Sequence, residues 1–138
     1  MKATLCGVAG AIGSGIAYLF GGWDTALITL LIFMGIDYIT GLVVAGIFKK
    51  SKKSESGGIQ SNASFKGLIK KCMILAFVVI GCRLDMLIGS TYIRDAVCIT
   101  FIVNETISII ENAGLMGVPF PKVLTNALDI LNNKVEKK

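Results

Sequence analysis

The sequence predicts an all-α membrane protein of about four transmembrane helices and a C-terminal amphipathic helix, with both termini inside. Three observations predict it. Hydrophobic residues fill 54% of the 138 positions and charged residues only 17%, against about 25% charged in an average soluble protein. Stretches at about 3–23, 25–48, 69–90 and 95–113 carry few or no charges, and about 20 apolar residues cross ~30 Å of hydrocarbon as a helix. Lys49, Lys50, Lys52, Lys53, Lys66, Lys70 and Lys71 gather between the second stretch and the apolar run of the third that begins at Cys72, opposed by Glu55. Basic residues mark the inner side of a membrane protein, so residues 49–68 read as a cytoplasmic loop. The spans leave no room for a separate soluble domain, and the whole chain, 1–138, reads as one integral-membrane unit.

The remaining connections agree with that orientation. Gly21-Gly22-Trp23-Asp24-Thr25 has no Lys or Arg and places Trp23 at an interface, as expected of an outer turn. Arg94 and Asp95 cancel in the other outer turn, and the tail carries Lys122, Lys134, Lys137 and Lys138. Met1-Lys2 before an apolar run has the look of a signal peptide. The run is longer than the usual apolar region of ~7–15 residues, so it reads as a retained span.

The first span is a ladder of small residues. Gly7, Ala11 and Gly15 continue the four-residue repeat of Ala3, and Ala9, Gly13, Ala17 and Gly21 repeat it on another face. Such ladders let helix backbones approach closely in lipid, within a subunit or between subunits; the plainer reading is that Gly and Ala are common in membrane helices.

The second span carries Asp37 about 11 residues from Lys49, or roughly 17 Å at 1.5 Å per residue. Thr40 and Gly41 share its face by helical spacing. Arg83, in the third span, stands about 12 residues beyond Lys71, at nearly the same depth by that count. The sequence therefore suggests an Asp37–Arg83 pair, with Asp85 pointing the other way, to the outer interface or another subunit. Ionisable groups at membrane depth cost at least ~2.5–3.5 kcal/mol each and so mark a packed interior, a water-filled path or a neutralised acid.

The fourth span is the most amphipathic. Thr100, Asn104, Glu105, Ser108, Glu111 and Asn112 fall on an arc of about 140°, with aliphatic residues over most of the rest. This polar stripe is either buried against the other helices or lines a water-containing lesion or a subunit interface. Gly114, Gly117, Pro119 and Pro121 end the span. Beyond them Leu124, Leu128, Leu131 and Val135 recur with helical spacing, making residues 121–138 an amphipathic tail that lies on the membrane, caps the bundle or pairs with its own copy.

Enzymatic machinery is missing from the sequence. There is no histidine, and no Walker loop, dinucleotide fingerprint or nucleophile–base pattern occurs. Cys6, Cys72, Cys82 and Cys98 all lie in apolar spans without a CxxC pair and read as free thiols acting as small hydrophobes. No catalytic residue, cofactor or metal is expected. The lysine cluster is explained by topology, so no nucleic-acid partner is expected either.

Asp37-Tyr38-Ile39-Thr40-Gly41 resembles the D-x-x-x-G signature of the toxin-secretion/phage-lysis holin family. The stretch from Asn104 through Glu105 and Ser108 to Asn112 is similar to that family's N/Y-E-x-x-S-I-x-x-N segment. Gly117-Val118-Pro119-Phe120-Pro121-Lys122 is similar to its G-[LVI]-P-[VIF]-P-K, and Phe65-Lys66-Gly67-Leu68-Ile69-Lys70-Lys71 to its F-x-G-[IL]-x-[KR]-K. The resemblance covers roughly residues 25–138 and is most specific from Asn104 to Lys122. It implies a multi-pass protein of the bacterial cytoplasmic membrane that assembles with copies of itself into lesions. Those lesions would release a cytoplasmic endolysin, or in some members a toxin. Its partners would be itself, the lipid bilayer and that enzyme. A small ion channel, transporter or exporter subunit, or a membrane assembly or anchoring protein, would use the same acid-bearing spans.

Overall fold

The computed structural model describes residues 1–137. It is all-helical, with no strand among the described residues: α1 (Lys2–Phe20), α2 (Thr25–Val43), α3 (Ser61–Ile88), α4 (Ile93–Leu115) and α5 (Lys122–Glu136). Helix α2 runs on into a π-helical turn, Val44–Phe48. Two helical segments, Lys2–Phe20 and Thr25–Phe48, are long and apolar enough to cross a membrane. Helices α3 and α4 are longer than α1 but carry Lys71, Arg83 and Asp85, and Glu105 and Glu111.

Local chemistry sets the helix ends. Asp24 caps α2, its carboxylate accepting from Leu27 N at 3.0 Å, which satisfies one of the donors left free at a helix start. Helix α3 begins at Ser61, about two turns before the expected span at 69. Nothing after Gly58 breaks a helix, and the lysines that mark a loop by charge are good helix formers. The true loop is shorter and folded: Ser51 N donates to Gly57 O at 3.0 Å and Ser54 Oγ to Gly58 O at 2.7 Å. Gly57 sits at φ +74, where an added Cβ would lie 2.2 Å from Lys49 O, so only glycine fits there.

Helices α2, α3 and α4 form the bundle, with α4 packed against both others. Each buries a stripe at helical spacing: Leu27, Leu30, Met34 and Asp37; Ile74, Val78, Cys82 and Asp85; Arg94, Cys98, Ile102, Glu105 and Asn112. The stripes align into three layers. The middle layer is apolar: Leu27, Leu30, Met34, Ile74, Val78, Cys98 and Ile102. A polar layer closes each end. Close approach of α3 and α4 at one end depends on Gly81, where a Cβ would come within 3.1 Å of Arg94 Cα.

The outer surface of α2 and α3 is apolar. Ile28, Ile32, Ile36 and Ile39 are exposed on α2, and Ile69, Met73, Phe77, Ile80 and Leu84 on α3, while Asp37, Asp85, Arg94, Glu105 and Asn112 are buried. A soluble protein seldom exposes contiguous apolar surface on this scale, and seldom buries this many charged and polar side chains beneath it.

Helix α1 stands apart. It buries no residue, and only Gly13, Ile16, Ala17 and Phe20 are half-buried, where it meets α3. Trp23 Nε1 donates to Gly13 O at 3.2 Å and ties the helix back on the turn. Of the two small-residue ladders, the one through Gly13 and Ala17 turns inward. Gly7, Ala11 and Gly15 are exposed, and a Cβ added at either glycine would meet nothing within 4 Å. Cys82 and Cys98 are buried in the bundle, Cys6 and Cys72 exposed, all four free. In α5, Leu128, Leu131 and Val135 are half-buried and Leu124 exposed.

Candidate functional site

Asp37, Lys71, Glu105 and Asn112 meet at the end of the bundle nearest the lysine loop, one or two from each helix. Lys71 Nζ lies 2.7 Å from Asp37 Oδ2 and 2.6 Å from Glu105 Oε2, so one ammonium bridges two carboxylates. Asn112 Nδ2 donates to Thr40 Oγ1 at 2.9 Å and to Asp37 Oδ1 and Asp37 O at 3.3 Å each. Thr40 Oγ1 in turn donates to Ile36 O at 2.8 Å. Gly41 faces the same site, where an added Cβ would stand 3.9 Å from Asn112 Nδ2, an ordinary contact. Asp37 and Glu105 are 5% and 3% exposed, so removing the ammonium would strand charge in a place water hardly reaches. A half-open cleft of about 280 Å³ lies beside this centre, between the loop, α2, α3 and α4.

The expected partner of Asp37 was Arg83, and that pairing is corrected. Arg83 is exposed, and its Nη1 donates to Met86 Sδ at 3.6 Å. The depth count began at Lys71 as the membrane edge. Helix α3 instead begins at Ser61, which carries Lys71 inward to the level of Asp37. Lys71 was legible in another way: with Ile74, Val78, Cys82 and Asp85 it continues one helical stripe, at spacings of three and four. Charge content alone assigned it to the loop.

The stripe on α4 divides. Glu105 and Asn112 are buried and Ser108 half-buried, while Thr100, Asn104 and Glu111 are exposed. Thr100 hydroxyl satisfies itself on Ala96 O at 2.8 Å. Gly117, Pro119, Pro121 and Lys122 form the exposed link into α5, with Gly117 at φ +80.

A second polar cluster, at the opposite end, was missed altogether. Arg94, 7% exposed, grips Asp24 with both terminal nitrogens, Nη1 to Oδ2 at 2.7 Å and Nη2 to Oδ1 at 3.1 Å. It also donates to Phe20 O and, at 3.3 Å, to Gly22 O. This single side chain joins α4 to the turn between α1 and α2. The sequence cancelled Arg94 against Asp95, which it does meet at 3.1 Å, but Asp24 is the two-pronged partner. The Arg94 hydrogen bond holds the Asp24 carboxyl below the usual carboxylate range, against the opposing effect of partial burial. Asp85 points away from the Asp37 centre to the opposite end, where it is buried and accepts from Ile93 N at 3.0 Å, Arg94 N at 2.9 Å and Ser90 Oγ, capping α4 from the end of α3.

Residues 14–133 match the sequence model of the bacteriophage holin family. The chain belongs to that family. Relatives of this holin-family chain include an uncharacterized 14.9 kDa protein of Clostridium perfringens, 38% identical over 126 residues, covering 90% of this chain and 89% of that one. An uncharacterized protein of Listeria monocytogenes is 38% identical over 128 residues, covering 91% and 86%. A more distant relative, 27% identical over 124 residues and covering 88% and 84%, is named a probable holin in Bacillus phage phi105. No solved structure matches the chain. Family membership supports a holin role and a place in a membrane.

Proposed function

We propose that this protein is a four-span holin of the bacterial cytoplasmic membrane, with both ends inside. Its copies assemble into lesions that release an endolysin or a toxin and trigger host lysis. The observation that carries the reading is the exposed half of the α4 stripe. Apart from Arg83, the middle stretches of α2 and α3 turn mostly apolar side chains outward, as lipid requires, but α4 turns out Thr100, Asn104 and Glu111 beside Ile107. A carboxylate and an amide facing hydrocarbon are costly; against other copies of α4, or against water in a lesion, they are not. The apolar middle layer also favours assembly over a channel within one subunit, because it interrupts the polar path between the two polar ends. Intramembrane polar contacts are worth only ~0.6 kcal/mol on average, so exchanging contacts within a subunit for contacts between subunits is within reach as copies accumulate.

The test is co-expression in a bacterium with a cytoplasmic muralytic enzyme. Abrupt lysis together with release of a folded protein of the enzyme's size supports the holin reading. Ion-selective flux without protein release would favour the channel or transporter reading instead.

Two further outcomes are expected. In a background with the native cysteines replaced, a cysteine at Ser56 should be closed to an impermeant thiol reagent in intact cells and one at Thr91 open to it. Labelling at Ser56 from outside would reverse the topology. Gly7→Leu with Gly15→Leu should reduce crosslinked oligomers and shift lysis timing, because these positions touch nothing in the single chain and close backbone approach needs small residues. If both readouts match the wild type, that face of α1 meets only lipid.

A further inference from the structure

The cleft beside the polar centre separates charge along its depth. Asp37, Glu105 and Lys71 line its buried floor, two carboxylates and one ammonium, for a formal −1. Lys71 occupies one oxygen of each acid, and Asn112 the second oxygen of Asp37. Glu105 Oε1 receives no donor among the described residues. Since no fully enclosed side-chain oxygen among them lacks a partner, Oε1 keeps a small accessible surface on a side chain 4% exposed, and Glu105 lines the cleft. Lys53 and Lys70, both exposed, line its mouth. The cleft is basic where it opens and acidic at the bottom. At about 280 Å³ it has room for a group of about eight non-hydrogen atoms, well beyond a lone water.

We propose that this cleft binds a phosphoethanolamine group, with phosphate on Lys53 and Lys70 and the primary ammonium on Glu105 Oε1. The occupant is the headgroup of an ethanolamine phospholipid of the inner leaflet. A simple anion would be drawn to the mouth and repelled by the floor, and a simple cation the reverse. A group with phosphate at one end and an N–H-bearing cation at the other fits both. A choline headgroup has the charge but no N–H to donate, and a glycerol headgroup can donate but cannot offset the floor's charge. The lipid source rests on the membrane placement proposed above, which puts the lysine loop at headgroup level, where basic pockets between spans take phosphate headgroups. Ile59, exposed at the rim, gives apolar surface toward the glycerol end.

The experiment uses the full chain in phosphatidylcholine nanodiscs doped with phosphatidylethanolamine or phosphatidylglycerol at equal mole fraction. After extraction, native mass spectrometry reads the lipid retained, and soluble phosphoethanolamine is added as competitor. Wild type should retain the ethanolamine lipid about tenfold over the other two, as expected for a hydrogen bond between charged groups, and the soluble competitor should displace it. Lys53→Gln with Lys70→Gln should lose that enrichment. Glu105→Gln, which makes the floor neutral, should shift preference toward the glycerol lipid. Equal retention of all three lipids, or a glycerol lipid held as well as the ethanolamine one by wild type, would overturn the proposal. Binding of soluble phosphoethanolamine with no lipid enrichment would overturn the lipid source and keep the headgroup chemistry. Binding is read on purified protein, so failure to lyse cells leaves this result untouched, and failure to bind lipid leaves the lysis assay untouched.

Discussion

Lys71→Met should destabilise the bundle by about 3–5 kcal/mol, the usual result of removing one partner from a buried ion pair. The substitution leaves Asp37 and Glu105 facing each other without the ammonium that lies 2.7 and 2.6 Å from them. Membrane abundance should fall sharply on a blot, and the melting transition of whatever purifies should drop. The triple variant Lys71→Met, Asp37→Asn, Glu105→Gln removes all formal charge from the centre and keeps hydrogen-bonding groups, so it should recover most of the abundance lost by the single change. If the triple variant is no better than Lys71→Met, the loss came from packing around the lysine stem and not from stranded charge. Arg83 gives the contrast: Arg83→Gln should neither weaken the bundle nor rescue Asp37→Asn, since Arg83 is exposed and away from the acids.

Arg94→Leu should come next in severity, at about 2–3 kcal/mol. Asp24 is half exposed and will be solvated when its partner goes, so little of the cost is electrostatic. The larger part is the loss of donors to Phe20 O and Gly22 O, which frees the α1–α2 turn from α4. Arg94→Lys should recover only part, because an ammonium cannot reproduce a two-pronged grip while also reaching two carbonyls. Protease sensitivity of the 21–24 turn in detergent reads this release directly; an unchanged cleavage rate would show that the turn is held by other contacts. The contribution of the latch should persist through neutral and mildly acid conditions. The folded Asp24 carboxyl lies below its unfolded value of about 3.9, so its stabilisation is complete above that value and fades only as pH falls through the lower folded one.

Much of the fold was legible because a long apolar helix announces itself by length and hydrophobicity, whatever it packs against. Helix existence, the terminal amphipathic helix and the link through Gly117 to Pro121 needed no tertiary information. Partner choice did need it. Asp37 and Glu105 were visible as acids at depth, but which cation serves them depended on where α3 starts, and a run from Ser61 to Leu68 that looks like loop by composition is helix in the fold. Arg94 was hidden for a related reason: its neighbour Asp95 offered a local answer, and the Asp24 contact spans 70 positions of sequence. The α4 stripe was read as one feature with two candidate roles. The structure divides it by side, giving Glu105 and Asn112 to the core and Thr100, Asn104 and Glu111 to the surface.

The most direct measurement is culture turbidity after induction of Glu105→Leu beside wild type, with membrane abundance matched by blot. Removing this carboxylate leaves Lys71 paired with Asp37 as a neutral unit, so the variant should insert and accumulate. The polar centre, however, loses the acid that can exchange a partner within the subunit for water or another copy. Lysis should be delayed or abolished, and Glu105→Gln, which keeps hydrogen-bonding capacity, should be milder. Normal lysis timing by Glu105→Leu at wild-type abundance would contradict the account, leaving Glu105 as a satisfied part of the bundle core with no role in lesion formation.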